Sequence, residues 1–178
     1  MPLDARRGVA AGASVDVLSA DPAVVAVSDD GMEAALAFGS DGRPQGRIDY
    51  VGDYGAIEEV TVAGGRFFAI ASYAGSQSTW ERIVAFDLVT GDQLWRANLG
   101  NADFEGLDVT DGRVTTVSLD RKYGDTLYVF DAATGDEEED RAFRDQVAGF
   151  ADLFTHGDRA IAVRWGSGQR PVSVYEHW

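Results

Sequence analysis

The chain carries two histidines, His156 and His177, the side chains whose ordinary pKa lies nearest neutrality. His156 lies between Asp152 and Asp158, a grouping that can serve as a general base or a metal site. Neither histidine has a third ligand or a nucleophile in pattern, so turn or surface positions are the plainer reading. The run Asp136-Glu137-Glu138-Glu139-Asp140 offers clustered carboxylates, which attract hard cations. It lacks the alternating ligand spacing and central glycine of a calcium loop. A solvated outer edge, whose charge deters strand pairing, explains it better. Trp80, Trp165 and Trp178 stand with Tyr50, Tyr54, Tyr73, Tyr123 and Tyr175 as residues of the interface-forming type, alongside Arg82, Arg96, Arg164 and Arg170. Of these, Trp165 alternates with Ile161 and Val163 and reads as core. Tyr54 and Tyr123, with Arg121, fall in expected loops and are the candidate interface residues. No cysteine is present, which removes disulfides, thiolate zinc sites, iron–sulfur clusters and a cysteine nucleophile. No glycine-rich phosphate loop, Ser/His/Asp arrangement or zinc spacing occurs. No catalytic residue, cofactor site or metal ligand is therefore assigned.

Charge narrows the partners. Lys+Arg number 15 against 30 Asp+Glu, a net charge of −15. Such a surface repels phosphate backbones and anionic lipid, so nucleic acid and membrane surfaces are excluded as expected partners. Lys122 is the single lysine and aspartate dominates the acids, as in a salt-adapted or high-GC composition. No apolar run approaches the ~20 residues that a membrane helix requires. The opening Met1-Pro2-Leu3-Asp4-Ala5-Arg6-Arg7 has no apolar core of a secretory signal. As written the chain is expected in the cytoplasm, or outside it if it belongs to a longer protein with a leader.

The elements that would position these residues repeat. Phe86-Asp87-Leu88-Val89-Thr90-Gly91-Asp92 returns as Phe130-Asp131-Ala132-Ala133-Thr134-Gly135-Asp136, 44 residues later. Gly65-Arg66, Gly112-Arg113 and Asp158-Arg159 mark the same series, and a fainter copy holds Phe38 and Gly42. Each unit reads as four short strands rich in Val, Ile, Phe, Tyr and Thr, punctuated by Asp-Gly, Gly-Gly or Thr-Gly-Asp turns. In the second unit these are Ile57–Val62, Arg66–Tyr73, Trp80–Asp87 and Gln93–Asn98. In the first, the last strand is expected at Arg47–Val51. Units are expected over about 14–51, 57–98, 104–143 and 147–176, the last with three strands, within one domain spanning 1–178. Four strands per ~45 residues is the signature of β-propeller blades. The expected fold class is all-β, with four-stranded antiparallel blades and almost no helix.

The stretch Ala85-Phe86-Asp87-Leu88-Val89-Thr90-Gly91-Asp92-Gln93-Leu94-Trp95 resembles the tryptophan-docking motif of quinoprotein-like propellers, A-x-D-x-x-T-G-x-x-x-W. The resemblance extends over most of the chain as degenerate repeats. It implies that Asp87 and Thr90 tie down a turn, that Gly91 takes its unusual dihedral, and that Trp95 packs on the neighbouring blade. The third unit keeps Asp131, Thr134 and Gly135 but has Glu139 where the tryptophan would fall. Enzymes of the family are much longer, hold a metal beside pyrroloquinoline quinone, and many stack the quinone on adjacent cysteines. That machinery has no copy here, so no enzyme activity and no cofactor are expected.

Outside the enzymes, similar propellers serve as assembly scaffolds and extracytoplasmic sensors. A non-catalytic scaffold for a protein partner is the first expectation. A small-molecule, quinone- or metal-binding propeller, such as a decayed quinoprotein or a sensor domain, is the alternative. About four blades fit part of a longer propeller, a small closed ring, or half of a ring completed by self-association through open blade edges.

Overall fold

The computed structural model describes residues 14–20, 23–29, 32–39, 41–49, 56–74, 79–100, 103–119, 126–142, 150–156, 159–164 and 172–176. Among them every regular element is a strand, arranged as four antiparallel sheets in which neighbours in sequence are neighbours in space. The first sheet is β1 (Ser14–Ala20), β2 (Ala23–Asp29), β3 (Met32–Phe38) and β4 (Pro44–Asp49). The second is β5 (Ala56–Ala63), β6 (Arg66–Ala74), β7 (Thr79–Asp87) and β8 (Gln93–Gly100). The third is β9 (Asp103–Thr110), β10 (Arg113–Leu119), β11 (Thr126–Asp131) and β12 (Glu137–Ala142). The last has three strands, β13 (Phe150–His156), β14 (Arg159–Arg164) and β15 (Val172–Glu176). These are β-propeller-type blades. Their innermost strands meet in succession, β1 with β5, β5 with β9 and β9 with β13, and among the described residues the sheets are not closed into a ring.

Most strand boundaries fall within two residues of the sequence expectation, and the outer strand of the first blade departs furthest. The outer strand of the first blade runs Pro44–Asp49 rather than Arg47–Val51. Its turn is tight, with the Gly39 N–H bonding Arg43 O and the Gly42 N–H bonding Gly39 O, so pairing resumes early. Proline is tolerated there because it opens an edge strand. In the second blade β6 runs one residue past the expected Arg66–Tyr73, to Ala74, and Tyr73 pairs across from Trp80.

Packing explains the residue choice. In β6, Phe67, Phe68, Ala69, Ile70 and Ala71 are all buried, because both faces of this blade are covered. A sheet buried on both sides reads as a continuous apolar run rather than an alternation. Phe67, Ala69, Ala71, Val84, Phe86 and Leu88 pack with Val24, Ala35, Ala37 and Ile48 of the first blade. Phe68, Ile70, Ile83, Ala85 and Trp95 pack with Phe104, Leu107, Val114, Phe130 and Ala132 of the third. The core is thus divided into blade seams. Each fully buried aromatic or large aliphatic side chain there contributes roughly 1.5–3 kcal/mol. Each of the four inner strands also carries one bulge, at Leu18, Glu58, Gly106 and Ala151. Bulges increase local twist and bend, which suits strands crowded toward a common axis.

Candidate functional site

The seam between the second and third blades gathers Arg66, Trp95, Glu59 and Glu81 and is held at two levels. At the outer level Trp95 of β8, 7% exposed, lies across the β11–β12 turn. Its Nε1–H donates to Ala132 O at 3.0 Å. Its ring covers Gly135 so closely that a methyl there would meet indole carbons at 2.5–3.0 Å. The face of the ring toward its own blade meets Phe68, with centroids 5.9 Å apart and planes tilted 50°. Arg66, opening β6, donates from Nη1 to the same Ala132 oxygen at 2.9 Å. One carbonyl with two lone pairs thereby receives an indole and a guanidinium from the preceding blade.

That carbonyl is aimed by the turn carrying it. Asp131 Oδ1 accepts from the Ala133 and Thr134 N–H groups, both at 2.8 Å. The Asp136 N–H donates to Thr134 Oγ1 at 3.2 Å, and the Gly135 N–H bonds Asp131 O at 2.8 Å. Gly135 holds φ 75°, a left-handed conformation suited to glycine. The β7–β8 turn repeats the pattern: Asp87 Oδ1 accepts from Val89 and Thr90, the Asp92 N–H donates to Thr90 Oγ1, and Gly91 has φ 74°. Ala85, the first position of the motif, is fully buried and pairs with Trp95.

At the inner level two carboxylates of the second blade reach the edge of β9. Glu59 Oε1 accepts from the Leu107 N–H at 3.0 Å, and Glu81 Oε2 from the Phe104 N–H at 2.9 Å. An inner edge strand presents N–H groups with no ladder partner, and burying them unpaired is costly. The neighbouring blade supplies their acceptors. Sequence reasoning missed both glutamates, since an acid among strand residues reads as solvent-facing. The Gly106 bulge that offsets Leu107 has no sequence signal beyond one glycine.

The first seam is built differently. Ala37 pairs with Gly46, as Ala85 pairs with Trp95, so Gly46 holds the register position of the tryptophan. A methyl built on Gly46 would fall on the Leu88 carbonyl oxygen. Leu88 O corresponds to Ala132 O, so backbone fills the space that an indole takes in the next seam. In the third blade Glu139 pairs with Val129 at that same register position.

Asp136, Glu137, Glu138 and Asp140 are exposed along the outer turn and strand. Glu138 Oε2 meets Arg113 Nε at 2.7 Å, and Asp136 Oδ2 accepts from Thr134 Oγ1 at 2.9 Å. Among the described residues no group of acids and histidines is arranged to hold a metal ion. His156 ends β13, and Trp80, 43% exposed, lies near the start of β7. Tyr54, Arg121 and Tyr123, with His177, Asp158 and Trp165, lie outside the described residues.

No family model and no curated protein matches this chain. Solved structures do resemble it. A computationally designed protein, Ika4, shares 15% identity at a TM-score of 0.59, over 87% of this chain and 86% of that one. An uncharacterized protein from Listeria monocytogenes shares 10% identity at a TM-score of 0.57, over 91% of this chain and 50% of its own. BamB from Moraxella catarrhalis shares 13% identity at a TM-score of 0.46, over 92% of this chain and 56% of its own. The chain spans about half the length of these two bacterial proteins. At such identities the likeness to the first two, Ika4 and the Listeria protein, is one of fold.

The turn aspartates should add to the acid sensitivity of the fold. Asp87 and Asp131 are held below the usual carboxylate range, chiefly by the Thr90 and Thr134 backbone N–H groups, and further by Arg66, against some opposing desolvation. With native values depressed, the unfolded chain binds more protons as pH falls through the ordinary aspartate value of about 3.9. The stabilisation is therefore complete above that value and is lost as pH drops through the native ones. Melting followed from about pH 5 to 3 should decline more gently in Asp87→Asn/Asp131→Asn than in the native chain. Equal slopes would show that the turns contribute nothing to acid lability.

Proposed function

We propose that the chain is a non-catalytic scaffold of the quinoprotein-like kind, binding a protein partner through the rim loops that include Tyr54, Arg121 and Tyr123. One observation carries this reading: the described groups best suited to chemistry are spent on holding the blades and their turns. Glu59 and Glu81 hold β9 backbone, Arg66 and Trp95 hold Ala132 O, and Asp87 and Asp131 hold their own turns. Groups used this way make a stiff frame on which loops can vary, the usual division of labour between scaffold and binding surface.

The test is affinity capture with paired variants. Bait carrying Arg121→Glu and Tyr123→Ala should lose its captured protein at unchanged melting temperature. Val89→Asp, exposed at the opposite ends of the strands in the β7–β8 turn, should keep it. In parallel, pyrroloquinoline quinone with calcium should leave tryptophan fluorescence and melting unchanged. Saturable quenching with a gain in stability would establish ligand binding instead, and the scaffold reading would fall.

A further inference from the structure

The first and last sheets carry the two halves of a seam that the described residues do not themselves complete. In each internal seam, one face of a blade meets the opposite face of the next. The face of the first blade turned away from the second holds Val15, Val17, Val25, Leu36 and Phe38, placed together by the pairs Val15 with Val27, Val17 with Val25, Val25 with Leu36 and Ala23 with Phe38. Leu36 and Phe38 occupy the register positions of Val84 and Phe86, which are 0% and 3% exposed because the first blade covers them. Among the described residues no blade covers this face of the first one, and Val17 is 74% and Val15 52% exposed.

The last sheet shows the matching half. Phe154, Ile161 and Val174 form one cross-strand row, and Val163 pairs with Val172 beside it. Counting from Arg159, which pairs with Glu176 as Arg66 pairs with Asp87, Ile161 and Val163 stand where Phe68 and Ile70 stand. Those two are at most 1% exposed, packed on the third blade. On the last sheet Phe154 is 51% exposed.

We infer that a second copy of this chain covers both ends, the first blade of one copy docking on the last blade of the other through two identical seams. This continues an interface the molecule already builds internally, with residues of the same class at the same register positions. Head-to-tail contacts close into a ring when the rotation allows. Two copies bring the count to eight blades, at the upper end of the usual range. Each copy carries −15, so like charge opposes pairing and salt should favour it.

Sedimentation of the native chain tests this. At tens of micromolar in about 1 M sodium chloride, where screening is nearly complete, a single species of twice the 19.1 kDa chain mass is expected. Lowering salt should weaken it. Val17→Asp and Phe154→Asp each place a charge in both seams, and each should weaken dimerisation at least about 100-fold. Both positions are exposed in the single chain, so circular dichroism of the resulting monomers should match the native spectrum. Val89→Asp, away from both end faces, should remain dimeric. A native chain that stays monomeric overturns the inference, whatever else covers those faces. So does a dimer that survives Phe154→Asp but not Val17→Asp, since that pattern means like faces pair.

Discussion

Trp95→Ala should lower stability by about 3–5 kcal/mol, the usual cost of truncating a buried tryptophan. A chain of this length loses roughly 2–4 °C of melting temperature per kcal/mol, so a fall of about 6–20 °C is expected. The effect is large because three interactions end together: the ring's cover over Gly135, its contact with Phe68, and the Nε1–H donated to Ala132 O. Trp95→Phe separates them. A phenyl ring keeps part of the cover, and Ala132 O keeps Arg66, so this variant should lose clearly less than alanine. Denaturant titration should then show the alanine variant broadening toward two transitions, because arrays joined by neighbour seams lose cooperativity when one seam weakens. Equal losses for alanine and phenylalanine would mean that the ring's apolar cover contributes little.

Gly46→Ala should cost at least about 3 kcal/mol, above the usual range for adding a methyl to a packed core. The reason is what the methyl meets: the Leu88 carbonyl and the Val89 Cα are backbone, held by the Leu88 N–H bond to Gly65 O and by the Asp87 turn. A side chain could swing aside; this backbone cannot. Gly46 lies outside the left-handed region, so the cost is steric alone. Gly64→Ala is the contrast, since φ is 56° there and nothing lies within 4 Å of the added methyl. That variant should show only the left-handed penalty of about 1–2 kcal/mol. If both lose the same stability, the first and second blades are not in backbone contact.

The blades and the Trp95 seam were legible because their signals are local. Strand alternation, Thr-Gly-Asp turns and the eleven-residue motif from Ala85 to Trp95 lie within short windows. What could not be read depends on contacts between distant residues. Glu59 and Glu81 act on N–H groups of β9, partners 48 and 23 residues away. The glycine at the tryptophan's place was hidden by one missing residue. Fixed spacing from Phe38 points to Arg47, but the shorter turn moves the register to Gly46. The outer strand of the first blade was misplaced for the same reason, because its turn lacks the Asp-Thr-Gly pattern that marks the other two.

The joint between the second and third blades is a tryptophan from one blade lying on the turn of the next. Proton NMR reads this directly, since an indole face shields whatever sits beneath it. The Gly135 α-protons should resonate well upfield of random-coil glycine, show cross-relaxation with the Trp95 ring, and return to ordinary values in Trp95→Leu. A Gly135 at random-coil shift in the native chain, with the Trp95 indole N–H exchanging as fast as an exposed one, would mean that the blades are not joined in this way.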